Sequence, residues 1–198
     1  MRHGRSRADD EQVCEGRYDS PLTDVGRKQV QARAEEWQAA GATFDCIIAS
    51  TLVRAAETAE IVGRTLNLEV ETDPDWMERD NGPVAGLPFA VARSRYPVPA
   101  FRGPFDPYIA SAGQGESEWA MHGRAALALE KVVCRGPDTY LVVAHGGILN
   151  AAMRCIVGAQ PPVNGQGIHF AFGDAGYART SYNPANHVWT LREFNSAQ

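Results

Sequence analysis

A chain of 198 residues can bury about 70% of the surface it exposes when unfolded, around a single core. Its 44% hydrophobic and 22% charged fractions exclude a disordered tail, a collagen-like fibre and a membrane bundle. Nineteen Lys and Arg against 24 Asp and Glu give a net charge of −5, which argues against a broad nucleic-acid footprint, yet residues 1–7 hold three arginines and no acid.

The first predicted element is a helix after Pro21, capped by Thr23, with Val25, Val30, Ala34 and Trp37 at near-helical spacing and Gly41 able to end it. Asp45 to Ala49 then reads as a short apolar strand. From Ser50, the positions Leu52, Ala55, Ala59, Val62 and Leu66 alternate steps of three and four, which predicts one buried helical face. A second strand is expected near Leu68 to Glu71. Residues 83–107 hold six of the twelve prolines, so regular structure should be interrupted there, and 83–117 reads as a lid or substrate loop. Met121, Ala125, Ala128 and Val132 mark a further helix, Thr139 to Ala144 a buried parallel strand, and Ile148 to Val157 the helix after it. His169 to Phe172 and His187 to Phe194 are expected to form two late strands or a hairpin. Strands alternating with helices predict a single α/β domain over 1–198 whose mostly parallel sheet is covered on both faces and binds ligands at its carboxyl ends.

No apolar run approaches the ~18 residues of a membrane span, and acidic residues follow the basic start, so a cytoplasmic protein with no membrane partner is expected. The cysteines Cys14, Cys46, Cys134 and Cys155 show no CxxC pairing, which argues against a zinc site or a disulfide framework.

Three places carry candidate chemistry: Arg2-His3-Gly4, Ser50 to Thr58 with Arg54 inside it, and His145-Gly146-Gly147 directly after an apolar strand. A His followed by two glycines where a helix begins sets an imidazole beside free backbone N–H groups, which suits an anion. A tight turn would explain the glycines equally well. Taken together, two histidines, two arginines and a carboxylate suit phosphoryl transfer. Guanidinium forks meet the non-bridging oxygens with charge-assisted hydrogen bonds of about 1.5–3 kcal/mol each. A neutral imidazole attacks phosphorus, and a carboxylic acid protonates the leaving alkoxide and then activates water. The scheme needs no metal and no cofactor.

These residues resemble the histidine phosphatase superfamily, which includes the cofactor-dependent phosphoglycerate mutases. The resemblance is carried by Arg2-His3-Gly4 with Ser6, by Gly16-Arg17-Tyr18-Asp19-Ser20-Pro21-Leu22-Thr23 with Gly26, and by the run from Ala49 through Arg54 to Ala59. It continues through Glu78 with Gly82 and Gly86, Gly115-Glu116-Ser117, and Val142-Val143-Ala144-His145-Gly146-Gly147. The resemblance implies a three-layer α/β/α fold, His3 as the phosphorylated nucleophile, Arg2, Arg54 and His145 as the rest of the phosphate pocket, and Glu78 as proton donor. Ser6, Gly16 and Gly147 match positions near the pocket.

The departures also inform. Arg5 stands where the family usually has Glu or Gln, so Arg5, Arg17 and Arg79 are candidates for a second anionic group of the substrate, while Arg7 is expected to face water. Glu78 is followed by Arg79-Asp80-Asn81-Gly82 rather than the mutases' Arg-His-Tyr-Gly, which disfavours mutase activity. Only Met1 precedes Arg2, against about five or six residues for a typical strand, so the first strand is expected to be cut short. The expected function is a metal-independent phosphatase acting on a small phosphorylated substrate through phosphohistidine at His3. The alternatives are a mutase-type phosphotransferase and a non-catalytic phosphate-binding module. The aromatic residues Phe89, Tyr96, Phe101, Phe105 and Tyr108 cover the pocket or pack the loop, and His122, His169 and His187 show no ligand spacing. Oligomeric state stays open, a homodimer included.

Overall fold

The computed structural model describes residues 1–197; Gln198, the last residue of the expected domain, lies outside them. In chain order the elements are α1 (Arg7–Glu11), α2 (Asp24–Ala39), β1 (Cys46–Ala49), α3 (Val53–Leu66), β2 (Val70–Thr72), α4 (Phe89–Arg95), α5 (Glu118–Val133), β3 (Tyr140–Val143), α6 (Gly146–Val157), β4 (Tyr177–Asn183) and β5 (Val188–Asn195). Strand β1 pairs in parallel with β2 on one side and β3 on the other. Because side chains alternate across a strand, Ile47, Ala49, Leu141 and Val143 face one core, shared with Val30, Ala34 and Trp37 of α2 and Ala55, Ala59 and Val62 of α3. Ile48 and Ala144 face the other, with Met121, Ala125 and Ala128 of α5 and Ile148 and Ala152 of α6. Two helices cover each face, which is the expected three-layer α/β/α arrangement.

The first three residues extend this sheet beside β3. Met1 N donates to Val142 O at 2.7 Å, Ala144 N to Met1 O at 2.9 Å, and His3 N to Ala144 O at 3.0 Å. On the opposite side, Arg2 N donates to Gly176 O at 2.8 Å and Ala175 N to His3 O at 3.1 Å, leading into the antiparallel β4–β5 pair. The short first strand is thus bonded on both edges, and burial lowers the pKa of the Met1 amino group to about 5.

Helix α2 is capped as expected, with Thr23 Oγ1 accepting the Gly26 N–H at 3.0 Å. Val25, expected on its buried face, is 55% exposed, and Gly26 is buried in its place. The reason is a close approach: a Cβ on Gly26 would lie 2.1 Å from Arg5 O, so only glycine lets α2 press against the segment that follows His3. Of the expected hairpin, His187–Phe194 falls within β5, but its partner is Tyr177–Asn183 and not His169–Phe172. The 169–172 stretch is irregular because the Asn150 side chain takes the place of a neighbouring strand. Its Nδ2 donates to Phe170 O at 2.9 Å and its Oδ1 accepts Phe170 N–H at 2.7 Å.

In 83–117 the prolines confine regular structure to α4 and two short 3₁₀ turns. The segment is tied down where it returns: Glu116 N donates to Asp80 O at 2.7 Å, and Arg124 pairs with Glu116 at 2.6 Å. Phe101 and Phe105 are 65% and 69% exposed, so they do not pack the loop. Among the described residues no helix is long and apolar enough to cross a membrane.

Candidate active site

The carboxyl ends of β1, β3 and the first strand converge, and each releases a polar residue there. His3 follows Arg2 out of the first strand, Ser50 follows β1, and His145 stands between β3 and α6. His3, Ser50, Arg54 and His145 are fully or almost fully buried, although all are polar or charged. Burial of such groups is costly unless each is partnered, and the partners define the site.

His3 Nδ1 lies 2.6 Å from Gly4 O, a bond it can only donate, which leaves the Nε2 lone pair as the reactive position. Arg54 Nε donates to that Nε2 at 3.2 Å. The rings of His3 and His145 are 5.1 Å apart between centroids. Burial, followed by the charges of Arg54 and Arg2, holds the His3 pKa well below the ordinary histidine range, so the ring is neutral at physiological pH. Burial and Arg54 act on His145 in the same direction.

The tautomer of His145 follows from its neighbour. Ser50 Oγ accepts the Leu52 N–H at 3.3 Å and lies 2.8 Å from His145 Nε2, to which its hydroxyl is able to donate. Nε2 then accepts, and the proton of the neutral ring resides on Nδ1. That buried Nδ1 meets no acceptor among the described residues, leaving one N–H donor beside His3.

Arg54 is less free than a phosphate fork should be. Its Nη1 donates to Tyr18 O at 2.9 Å and its Nη2 to Gly16 O at 2.7 Å, so its terminal nitrogens hold the 16–18 loop and Nε alone faces His3. Gly16 serves that loop with φ +53°. Arg2 donates from Nη1 to Phe172 O at 3.0 Å and pairs with Asp174 at 3.5 Å, which fixes its guanidinium at the edge of the site.

Glu78 is placed by the N-terminus of α6. Its Oε2 accepts Gly147 N–H at 2.8 Å, and its Oε1 accepts Ile148 N–H at 3.2 Å and Arg79 N–H at 2.7 Å. A Cβ on Gly147 would lie 2.3 Å from Oε1, so the second glycine is the space the carboxylate occupies. Glu78 and Gly147 line a cavity of about 280 Å³ together with Cys14, Glu15, Gly16, Arg79, Asn81, Phe89 and Tyr108. Of the aromatic residues in 83–117, two therefore reach the pocket. Arg79 stacks over Tyr108 at 4.4 Å.

The structure does not bring every expected residue here. Arg5 Nε and Nη2 both donate to Asp10 Oδ1, at 2.8 and 2.6 Å, on the surface, because the acid one turn of α1 away captures the guanidinium. In this structure its guanidinium is engaged there and does not line the cavity described above. Arg7 pairs with Glu11 at 2.9 Å and faces water as expected. Arg17 donates to Glu78 O at 3.3 Å and sits 3.8 Å from Asp80, so it braces the Glu78 backbone outside the cavity lining. Ser6 Oγ contacts Glu15 Oε1 at 2.5 Å and does not line the cavity.

Two residues of the site were given no role by the sequence reading, although Ser50 opens the candidate stretch that holds Arg54. Ser50 was legible as a polar residue directly after an apolar strand at its carboxyl end. Glu15 was hidden among the neighbouring acids Asp9, Asp10 and Glu11, although it immediately precedes Gly16-Arg17.

The family model for the histidine phosphatase superfamily (branch 1) matches residues 1–196. The uncharacterized phosphatase PhoE of Bacillus subtilis is 28% identical, over 98% of this chain and 92% of its own length. A probable phosphoglycerate mutase, GpmB of Proteus mirabilis, is 31% identical over 80% of this chain and 73% of its own. Among solved structures, mycobacterial glucosyl-3-phosphoglycerate phosphatase Rv2419c, complexed with VO3, superposes with a TM-score of 0.79 at 25% identity, covering 99% of this chain and 97% of that one.

Proposed function

Because the chain belongs to the histidine phosphatase superfamily, we propose that it hydrolyses a small phosphate monoester through a phosphohistidine on His3. Phosphatase as the enzyme class rests on family membership and on phosphatase-named relatives. The mechanism and the residue roles are those the family resemblance implies, and the geometry supports them. The observation that carries them is the state of His3: buried, neutral, bonded through Nδ1 to Gly4 O, with Nε2 facing Arg54.

In this mechanism His3 Nε2 attacks phosphorus, and the bond from phosphorus to the ester oxygen breaks. Arg54 Nε and Arg2 offset the charge on the non-bridging oxygens, and His145 Nδ1–H donates to one of them as charge develops. Glu78 gives a proton to the departing alkoxide, and its carboxylate then takes a proton from the water that attacks the phosphohistidine. Phosphate leaves, and His3 and Glu78 return to their starting states. Arg79, Asn81, Phe89 and Tyr108 line the side of the cavity that would take the alcohol part of the substrate.

The test is turnover of an aryl phosphate with chelator present, by the wild type and by His3→Ala. Wild-type turnover that is lost in His3→Ala, with an acid-labile phosphoryl group trapped on His3, supports the reading. Equal rates for the two proteins would sink it. The resemblance to a probable phosphoglycerate mutase favours one competing reading. It wins if 2,3-bisphosphoglycerate primes interconversion of phosphoglycerates faster than phosphate is released. Phosphate binding without turnover or a trapped phosphoryl group would mark a non-catalytic phosphate-binding module.

A further inference from the structure

The mechanism leaves one charged group of the site without a role. Glu15 lies on the loop between α1 and α2, and its carboxyl lies alongside the contact between Arg54 and His3. Its two oxygens have opposite surroundings. Oε1 accepts from Ser6 Oγ at 2.5 Å and Ser20 Oγ at 3.4 Å, and lies 3.2 Å from Arg54 Nε, whose own N–H points to His3. Oε2 receives no donor among the described residues and faces His3 Nε2 at 3.9 Å. Oε1 is therefore the oxygen suited to accept, and Oε2 the oxygen suited to carry a proton. A phosphoryl group on Nε2 brings an anionic oxygen into the space between Nε2 and Oε2. An ionised Glu15 would set two like charges in contact there, whereas a protonated one donates an O–H···O⁻ bond of about 2.5–2.7 Å.

We propose that Glu15 is a carboxylic acid whose Oε2–H donates to a non-bridging oxygen of the phosphoryl group at His3, so that its ionisation weakens phosphate binding and transfer. The inference rests on the phosphohistidine reading for its catalytic part, while its binding part stands on the pocket alone. The groups facing Glu15 are Arg54 from α3, His3 and, through space, Arg2 from the first strand, Ser6 and Asp9 at the start of α1, and Ser20 from the following loop. Burial acts most strongly and raises the Glu15 pKa above the usual carboxylate range; Arg54 and Ser6 oppose it, and Asp9 adds to it. The enzyme should accordingly work best on the acid side.

The experiment compares wild type and Glu15→Gln, an isosteric change that keeps a donor and removes the titration. kcat/KM for an aryl phosphate is measured from pH 5 to 9, and inorganic phosphate binding by calorimetry at pH 5.5 and 8. The ratio of variant to wild type should rise about tenfold or more toward high pH in both assays, one pKa unit being a factor of ten. Parallel pH profiles for the two proteins would overturn the proposal. Wild-type calorimetry in buffers of different ionisation enthalpy gives a second measurement that does not depend on the variant folding. Binding of phosphate at pH 8 should take up close to one proton, and no uptake would also overturn the proposal. If phosphate binding shows the Glu15-dependent profile but the wild type turns nothing over, the phosphatase reading fails and this one stands. If the wild type is active and both profiles coincide, the reverse holds.

Discussion

Gly147→Ala tests whether Glu78 must sit where the α6 terminus puts it. The new Cβ would stand 2.3 Å from Glu78 Oε1, 3.0 Å from Cδ and 3.1 Å from Oε2, all closer than ordinary contact. The α6 backbone is held by its own ladder, so the carboxylate must retreat by roughly 1 Å. That lengthens its bonds to Gly147 N and Ile148 N, now 2.8 and 3.2 Å, beyond hydrogen-bond reach. A ~1 Å misplacement of a catalytic group costs about 100-fold, or ~2.7 kcal/mol of transition-state stabilisation. Stability should move little, because Ala gains about 0.5–1 kcal/mol over Gly inside a helix and offsets part of the lost bonding. Gly146→Ala is the matched control: its Cβ meets nothing within 4 Å, so it should gain the helix contribution and keep activity. Denaturant midpoints and aryl phosphate kinetics on both variants separate the two effects. Gly147→Ala activity within threefold of Gly146→Ala, or a crystal structure of the variant with Glu78 unmoved, would refute the reasoning.

The neutral buried histidines give a pH signature independent of turnover. Both are held well below the ordinary histidine range by burial and the nearby arginines, so between the folded and unfolded pKa values the unfolded chain binds more protons. Stability is therefore complete above the unfolded pKa of about 6.5 and falls as pH drops below it, by roughly 1.4 kcal/mol per histidine for each pH unit. Between pH 7.5 and 5.5 the two histidines should contribute a loss of about 2.5 kcal/mol in urea titrations, to which the buried Met1 amino group adds in the same sense, and an unchanged free energy would count against neutral His3 and His145. Glu15 has its pKa raised and acts in the opposite sense, so Glu15→Gln should show the steeper loss. Ser50→Ala removes the O–H that bonds His145 Nε2 at 2.8 Å. It should lower kcat about tenfold while leaving KM nearly unchanged, because the Nδ1–H tautomer is no longer held. An equal change in both constants would indicate a general packing defect instead.

The helices and parallel strands were legible because burial on two faces imposes strong patterns. Ile47, Ala49, Leu141 and Val143 read as strand because both sheet faces are covered, and Ala55, Ala59 and Val62 read as helix because one stripe faces the sheet. The pattern failed where a single backbone or side-chain contact decides the outcome. Val25 follows the apolar spacing, yet the approach of Gly26 to Arg5 O turns it outward. Phe170 looks like strand sequence, yet one amide, Asn150, satisfies both of its backbone groups and removes the need for a partner strand.

The site divides in the same way. His3, Arg54, His145, Glu78 and Gly147 were readable because their types and order carry the chemistry. What the order of residues could not convey is how many donors each group has left. Arg54 has the right charge, but its two terminal nitrogens each spend one N–H on Tyr18 O and Gly16 O. Arg5 has the same charge and lies two residues from His3, but Asp10 takes its guanidinium. The N–H donors free to meet a phosphate are thus fewer than the arginine count near His3 suggests, and a carboxyl stands 3.9 Å from His3. A pocket holding an ionised Glu15 would repel the phosphoryl oxygen nearest to it. Protonation of that one residue removes the repulsion and supplies the missing donor, so the pH profile of phosphate binding reports directly on how the site balances its charge.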